Sequence, residues 1–151
     1  MPEKKTIQRA RRDKREGKAP GTQAGEFVRE EMDHIRAGKH GARSAKQAIA
    51  IGLSKARRAG VALPPPKEGR ASEATRRQAK RDLRKGSTGE GSRQPSAKRS
   101  RAATNALQRE GSAAASKSAL SKQAHRAAEA RKKRGTVAPA AKRKSTRRKT
   151  A

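Results

Sequence analysis

The stretch "RSAKQAIAIGLSKARRAG", residues 43–60, decides how this chain folds. Ser44 followed three residues later by Gln47 is the capping-box pattern of a helix start. Ala45, Ala48, Ile49, Gly52, Leu53 and Ala56 then recur at i, i+3, i+4 spacing and make one apolar stripe. Gly60 stands where a helix ends in a left-handed residue, and Val61 is placed to fold back on Ala56. Start, face and stop agree on a helix of about 15 residues.

Upstream, residues 22–37 read as its partner. Thr22 is the expected cap, and Phe27, Val28, Met32 and Ile35 share one broad face. Glu26, Glu30, Glu31 and Asp33 occupy the remainder, Gly38 is a stop, and "KHG" (39–41) is a turn. A two-helix hairpin over residues 22–61 follows, with Phe27, Val28, Met32, Ile35, Ile49, Leu53 and Val61 as its core. Gly52 and the alanines let the two helices approach closely. Ile51 lies off the main face and offers a contact to a third element or a second copy, so weak self-association fits the pattern without a heptad repeat to support it.

Outside the hairpin, large apolar side chains become scarce. Of 151 residues, 30% are apolar, with one Phe and neither Tyr nor Trp. Burying a large side chain gains roughly 1.5–3 kcal/mol, while ordering a residue costs about 1–2 kcal/mol. Low hydrophobicity with a net charge of +29 is the pattern of disorder. The expected fold is therefore mostly α with extensive disorder: the small hairpin, flanked by basic segments that are partly helical or disordered.

The expected organisation runs as a basic disordered arm (1–21), the helical hairpin domain (22–63), a Pro-rich linker (64–71), Ala/Lys/Arg-rich segments with transient helices (72–135) and a basic disordered tail (136–151). The linker opens on three successive prolines (64–66), which favour an extended, hydrogen-bond-free backbone. Charge shifts across it, from a net +9 over residues 1–63 to +20 over residues 64–151. In the second half, segments 72–86, 100–111 and 112–135 each open on serine and close on glycine, and their only leucines are Leu83, Leu107 and Leu120. "STGEGSRQPSAK" (87–98) reads as a flexible linker.

Charge names the class of partner. Lys and Arg number 42 against 13 Asp and Glu, and such an excess repels itself unless a polyanion binds. The candidate nucleic-acid contacts lie in five runs. They are Arg9, Arg11 and Arg12; Lys55, Arg57 and Arg58; Arg76 and Arg77; Arg131, Lys132, Lys133 and Arg134; and Lys142, Arg143, Lys144, Arg147, Arg148 and Lys149. Phosphate contacts of this kind position without specifying. With Phe27 as the only aromatic and placed in the core, no platform exists on which single-stranded bases could stack. A helix-turn-helix reading of residues 22–60 is disfavoured, because the basic cluster sits at the C-terminal end of the second helix and the usual third helix is missing. The expectation is non-sequence-specific binding, to DNA ahead of RNA, in a cytoplasmic, nucleoid-associated protein.

Other chemistry finds little support in the sequence. There is no cysteine, and the N-terminus lacks the apolar core of a signal peptide. The longest apolar run, "AIAIGL" (48–53), is far short of the roughly 20 residues of a membrane span. His34, His40 and His125, scattered and without cysteine, read as surface or phosphate-facing residues rather than metal ligands. Glu26, Glu30 and Asp33 share a face and are expected to pair with Arg29, Arg36 or the second helix. No phosphate loop, nucleophile motif or zinc-finger spacing occurs. The expectation is no enzyme, no cofactor or metal, no membrane and no small-molecule substrate. The other class of function compatible with the pattern is a protein–protein module whose tails tether it to a polyanion.

At "GEFVREEMDHIRAGKHGARSAKQAIAIGLSKARRAG" (25–60) the chain resembles a family of small Lys/Arg-rich bacterial and phage proteins of unknown function. The recurring elements are a His-containing first helix ending in "GKHG" (Gly38–Gly41) and then "KQAIAIGLSKARRAG" (Lys46–Gly60). The resemblance implies a bacterial source and no particular chemistry. The composition of the second half separately resembles bacterial linker-histone-like tails.

Overall fold

The computed structural model describes residues 2–89 and 96–137, and these residues are all-helical. Six α-helices run α1 (Lys4–Arg15), α2 (Pro20–Arg36), α3 (Ala45–Arg58), α4 (Glu73–Ser87), α5 (Ala97–Gln108) and α6 (Lys117–Val137), with a short 3₁₀ turn at Ser112–Ala115 before α6. The expectation of a lone hairpin amid extensive disorder is overturned, because α1 and α4 pack on the hairpin as further helices.

The hairpin itself forms as its pattern predicts. Ser44 Oγ accepts the Gln47 N–H at 3.2 Å, and Gln47 Oε1 accepts the Arg43 N–H at 3.0 Å, one residue earlier than the usual reciprocal bond. At the far end the Val61 N–H bonds the Ala56 carbonyl at 3.1 Å and the Gly60 N–H bonds that of Arg57 at 3.0 Å, with Gly60 at φ +91°. This is the Schellman closure that uses up orphan carbonyls. Ser44→Ala should cost about 1 kcal/mol, read as a lowered urea midpoint with an unchanged m-value. Helix α2 starts two residues earlier than expected: Pro20 is its first residue and Ala19, with no side-chain bond, stands where Thr22 was expected to cap.

All seven predicted hairpin core residues are used, but in two separate clusters. Phe27 and Val61 join Ala24 and Ala56, and α1 closes over them with Ala10 and Ile7. Met32 and Ile35 join Ala42 and Ala48, closed by Ala114 and Ala115 of the 3₁₀ turn and Leu120 of α6. The arm expected to be disordered is therefore a helix, because Thr6, Ala10 and Asp13, at i, i+4, i+7, are small enough to let α1 lie against α2.

Backbone proximity does the rest. A Cβ on Gly52 would lie 2.7 Å from Val28 Cα, so α2 and α3 touch along their main chains there. In α4, Gly86 has the same role against α3, and it lies inside the helix rather than ending a segment. Buried Asp82 completes that contact by accepting the Ser54 hydroxyl at 2.6 Å and the Gln78 amide at 3.0 Å. The Pro-rich segment is held as well. Buried Arg57 donates Nε to the Leu63 carbonyl at 3.1 Å and Nη2 to that of Pro64 at 3.2 Å.

Helices α5 and α6 are formed rather than transient. Ser116 Oγ caps α6 by accepting the Ala119 N–H at 3.1 Å. Helix α5 is exposed along its length except at Leu107, whose carbonyl accepts the Gly41 N–H at 2.9 Å. Residues 90–95 of the expected linker and 138–151 of the expected tail lie outside the described residues. No described helix is long and apolar enough to cross a membrane.

Candidate nucleic-acid interface

The helices sort by charge. Helix α2 carries Glu26, Glu30, Glu31 and Asp33 against Arg29 and Arg36, and it lies between the basic helices α1 and α3. Its carboxylates are spent on those neighbours. Glu26 meets Arg9 of α1 at 3.7 Å, Glu31 meets Lys55 of α3 at 2.5 Å, and Glu30 accepts the Glu3 N–H at 3.2 Å. Asp33 pairs with Arg36 at 3.5 Å, the one partner among these that was expected. Glu26, Glu30 and Glu31 thus work between the helices, while Asp33 stays exposed beside Arg36.

The candidate contacts divide into two groups. Lys55 and Arg57 are internal: Lys55 is 19% exposed on the Glu31 carboxylate, and burial pushes the Arg57 guanidinium below the usual arginine range. Of the others described, Arg76 is half-buried and the rest lie on the surface. Arg9 faces Glu26, Arg12 faces Glu16 at 3.6 Å, Arg58 faces Asp82 at 3.6 Å, Arg76 faces Glu68 at 3.4 Å and Arg77 faces Glu73 at 3.8 Å. The exposed pairs, Arg12–Glu16 and Arg77–Glu73, are worth about 0–1 kcal/mol, so a phosphate can replace those carboxylates at little cost, whereas Asp82 is buried. Arg11 is exposed on α1, and Arg131, Lys132, Lys133 and Arg134 form an exposed turn of α6. Lys142, Arg143, Lys144, Arg147, Arg148 and Lys149 lie outside the described residues.

Further basic residues join this surface. Lys98, Arg99 and Arg101 project from α5, and Lys117, Lys122 and Arg126 from the first half of α6; all six are exposed. Lys98, Arg99 and Arg101 stand in "KRSR" (98–101), a run as dense as "KARR" that the sequence reading passed over, while Lys117, Lys122 and Arg126 are spaced apart. The available signal was the scarcity of acid: between residues 97 and 128 the only carboxylate is Glu110. Helix α6, 21 residues and about 31 Å long, is polar around most of its circumference, as befits a helix that faces solvent or a highly charged partner. The N-terminal turn of α3, which a recognition helix would present to bases, is taken up by packing: Ala45 and Ala48 are buried.

One surface tie responds to acid. Glu3 Oε1 takes His34 Nε2 at 2.9 Å and Lys39 Nζ at 3.3 Å, and first the His34 bond and then Lys39 hold the Glu3 carboxyl below its ordinary 4.5. A carboxyl lowered on folding adds stability above its unfolded value and loses it as pH falls through the folded one. Glu3→Gln should therefore flatten the stability–pH curve below about pH 4.5 and leave the neutral limb parallel to that of the parent, as measured by urea melts across the acid range.

Residues 19–67, about a third of the chain, match a family of unknown function (DUF6496). The match covers α2, α3 and the Pro-rich segment. No curated protein and no solved structure matches the chain.

Proposed function

We propose that this chain is a non-catalytic nucleic-acid-binding protein that coats phosphates without reading sequence, with duplex DNA as its first partner and the nucleoid as its place of work. The observation that carries the reading is the division of charge just described. In a chain of net +29, Glu26, Glu30 and Glu31 are drawn into the helix contacts, while α5, α6 and the outer face of α1 present exposed lysines and arginines. Phosphate binding releases counterions, which supplies affinity without base readout. The absence of an aromatic platform and the packed N-terminal turn of α3 support sequence-independent contact. The likeness of the second half to bacterial linker-histone-like tails points the same way.

The test is binding of two unrelated duplexes over a salt series. Equal affinities are expected, and with about ten phosphates engaged the log–log slope should be near −9. A flat salt dependence, or no complex at low salt, overturns the reading. Structured RNA as competitor decides between DNA and RNA as first partner.

A further inference from the structure

Glu31 is sealed from solvent in the middle of α2, and its two carboxylate oxygens are treated differently. Oε2 receives the Lys55 ammonium. Oε1 has no hydrogen-bond partner among the described residues and faces His40 Nε2 at 3.5 Å. His40 sets its other nitrogen, Nδ1, 3.2 Å from the Gly41 carbonyl. A carbonyl only accepts, so Nδ1 is the nitrogen that donates there, and Nε2 is left facing Glu31 Oε1. A ring nitrogen and a buried carboxylate oxygen facing each other call for a cation between them, either a proton or a metal ion.

A second imidazole stands beside this pair, its Nε2 held by Glu3 Oε1 at 2.9 Å. His34, one turn along α2 from Glu31, lies edge-on to His40, with ring centroids 6.1 Å apart and planes at 86°. One ligand atom from each of Glu31, His34 and His40 lies within 4.8 Å of the others. We propose that Glu31, His34 and His40 form a binding site for a divalent transition-metal ion of the Zn²⁺ type.

The donor set and its surroundings suit that ion. Two imidazoles and a carboxylate are a common three-ligand set for zinc, with the fourth position left to solvent. Metal–ligand distances of about 2.0–2.1 Å in a tetrahedron put ligand atoms about 3.4 Å apart. The Glu31–His40 pair already stands at 3.5 Å, so His34 makes most of the closing movement. Each imidazole is 15% exposed, which opens a path for the ion. The Lys55 ammonium on the far carboxylate oxygen and the Gly41 carbonyl on His40 Nδ1 are outer partners of the kind that fix ligand orientation. A bound ion ties α2 to the turn whose Gly41 and Ala42 N–H groups bond the Leu107 and Gly111 carbonyls, so it also braces the base of α5.

The rival occupant is a proton, which would make His40 a simple cationic partner of Glu31. Calorimetric titration of the tag-free, nuclease-treated full chain with ZnCl₂ separates the two. The expected result is one ion per chain, with affinity falling at least about tenfold in His34→Gln and in His40→Gln, and unchanged in His125→Gln on exposed α6. Circular dichroism checks that each variant keeps its helices. His34→Gln, at the rim, serves if His40→Gln does not fold. Co²⁺ added in place of Zn²⁺ should give the visible absorption of a four-coordinate site in the parent and lose it in the folded variant. No Zn²⁺ heat, or equal affinity in all three variants, overturns the site and leaves the proton as occupant.

Discussion

Alanine at position 86 is expected to destabilise the protein by about 2–3 kcal/mol, lowering Tm by about 10 °C, although glycine-to-alanine inside a helix is ordinarily favourable by about 1 kcal/mol. The sign is reversed by what lies opposite. A Cβ on Gly86 would stand 1.9 Å from the Arg57 carbonyl oxygen and 3.1 Å from the Gly60 nitrogen. Both are backbone atoms, so no rotamer change relieves the clash. Helix α4 must lift from α3, and the Ser54–Asp82 hydrogen bond is stretched with it. Gly25 supplies the contrast: it lies within α2 with open space where its Cβ would be, and Gly25→Ala should stabilise by about 0.5–1 kcal/mol. Thermal melts of the two variants read the difference directly. Similar shifts in one direction would show that α4 does not rest on α3 as described.

The second large effect concerns binding. Replacing Arg99, Arg101, Arg131 and Arg134 together by glutamine should make the salt slope for duplex DNA shallower by up to about 3.6 and weaken binding equally on unrelated sequences. All four are exposed on α5 or α6, so the melting temperature should hardly change. Arg57→Gln should do the reverse, lowering Tm while keeping the slope, because its guanidinium is committed to the Leu63 and Pro64 carbonyls. Fluorescence anisotropy over a salt series, paired with thermal melts, checks both. A slope untouched by the fourfold change would remove α5 and α6 from the interface.

The contrast between Arg57 and Arg131 shows how far a charge run can be read. Both stand in basic clusters of similar density. One faces two carbonyls in the interior and the other faces water, and only the packing of α3 on the Pro-rich segment separates them. Lys55 is a like case, since its partner Glu31 lies 24 residues away on another helix. The histidines divide similarly. A spacing of six residues between His34 and His40 carries little meaning until the Gly38 turn, at φ +70°, brings the second ring back beside the first.

Helix α1 and helix α4 escaped the sequence reading for one physical reason. The search for a core weighed large apolar side chains, because they bury the most area. These helices pack with Ala10, Thr6, Ala79 and Gly86, which bury little area each but bring backbones within contact distance, where many weak dispersion contacts add up. Counting large side chains undervalues such an interface and assigns its segments to disorder.

What the sequence determined by itself was local: the capped helix from Ser44, the Gly60 stop, the partner helix with its apolar face, the seven large side chains of the hairpin core, and the excess of positive charge. Each rests on interactions within about four residues or on composition, which a linear pattern records. What only the tertiary structure decided was which glycines are contacts and which are stops, which basic residues are structural, and which carboxylate meets which histidine. Those outcomes depend on pairs of residues far apart in the chain, brought together where glycine and alanine let helices touch.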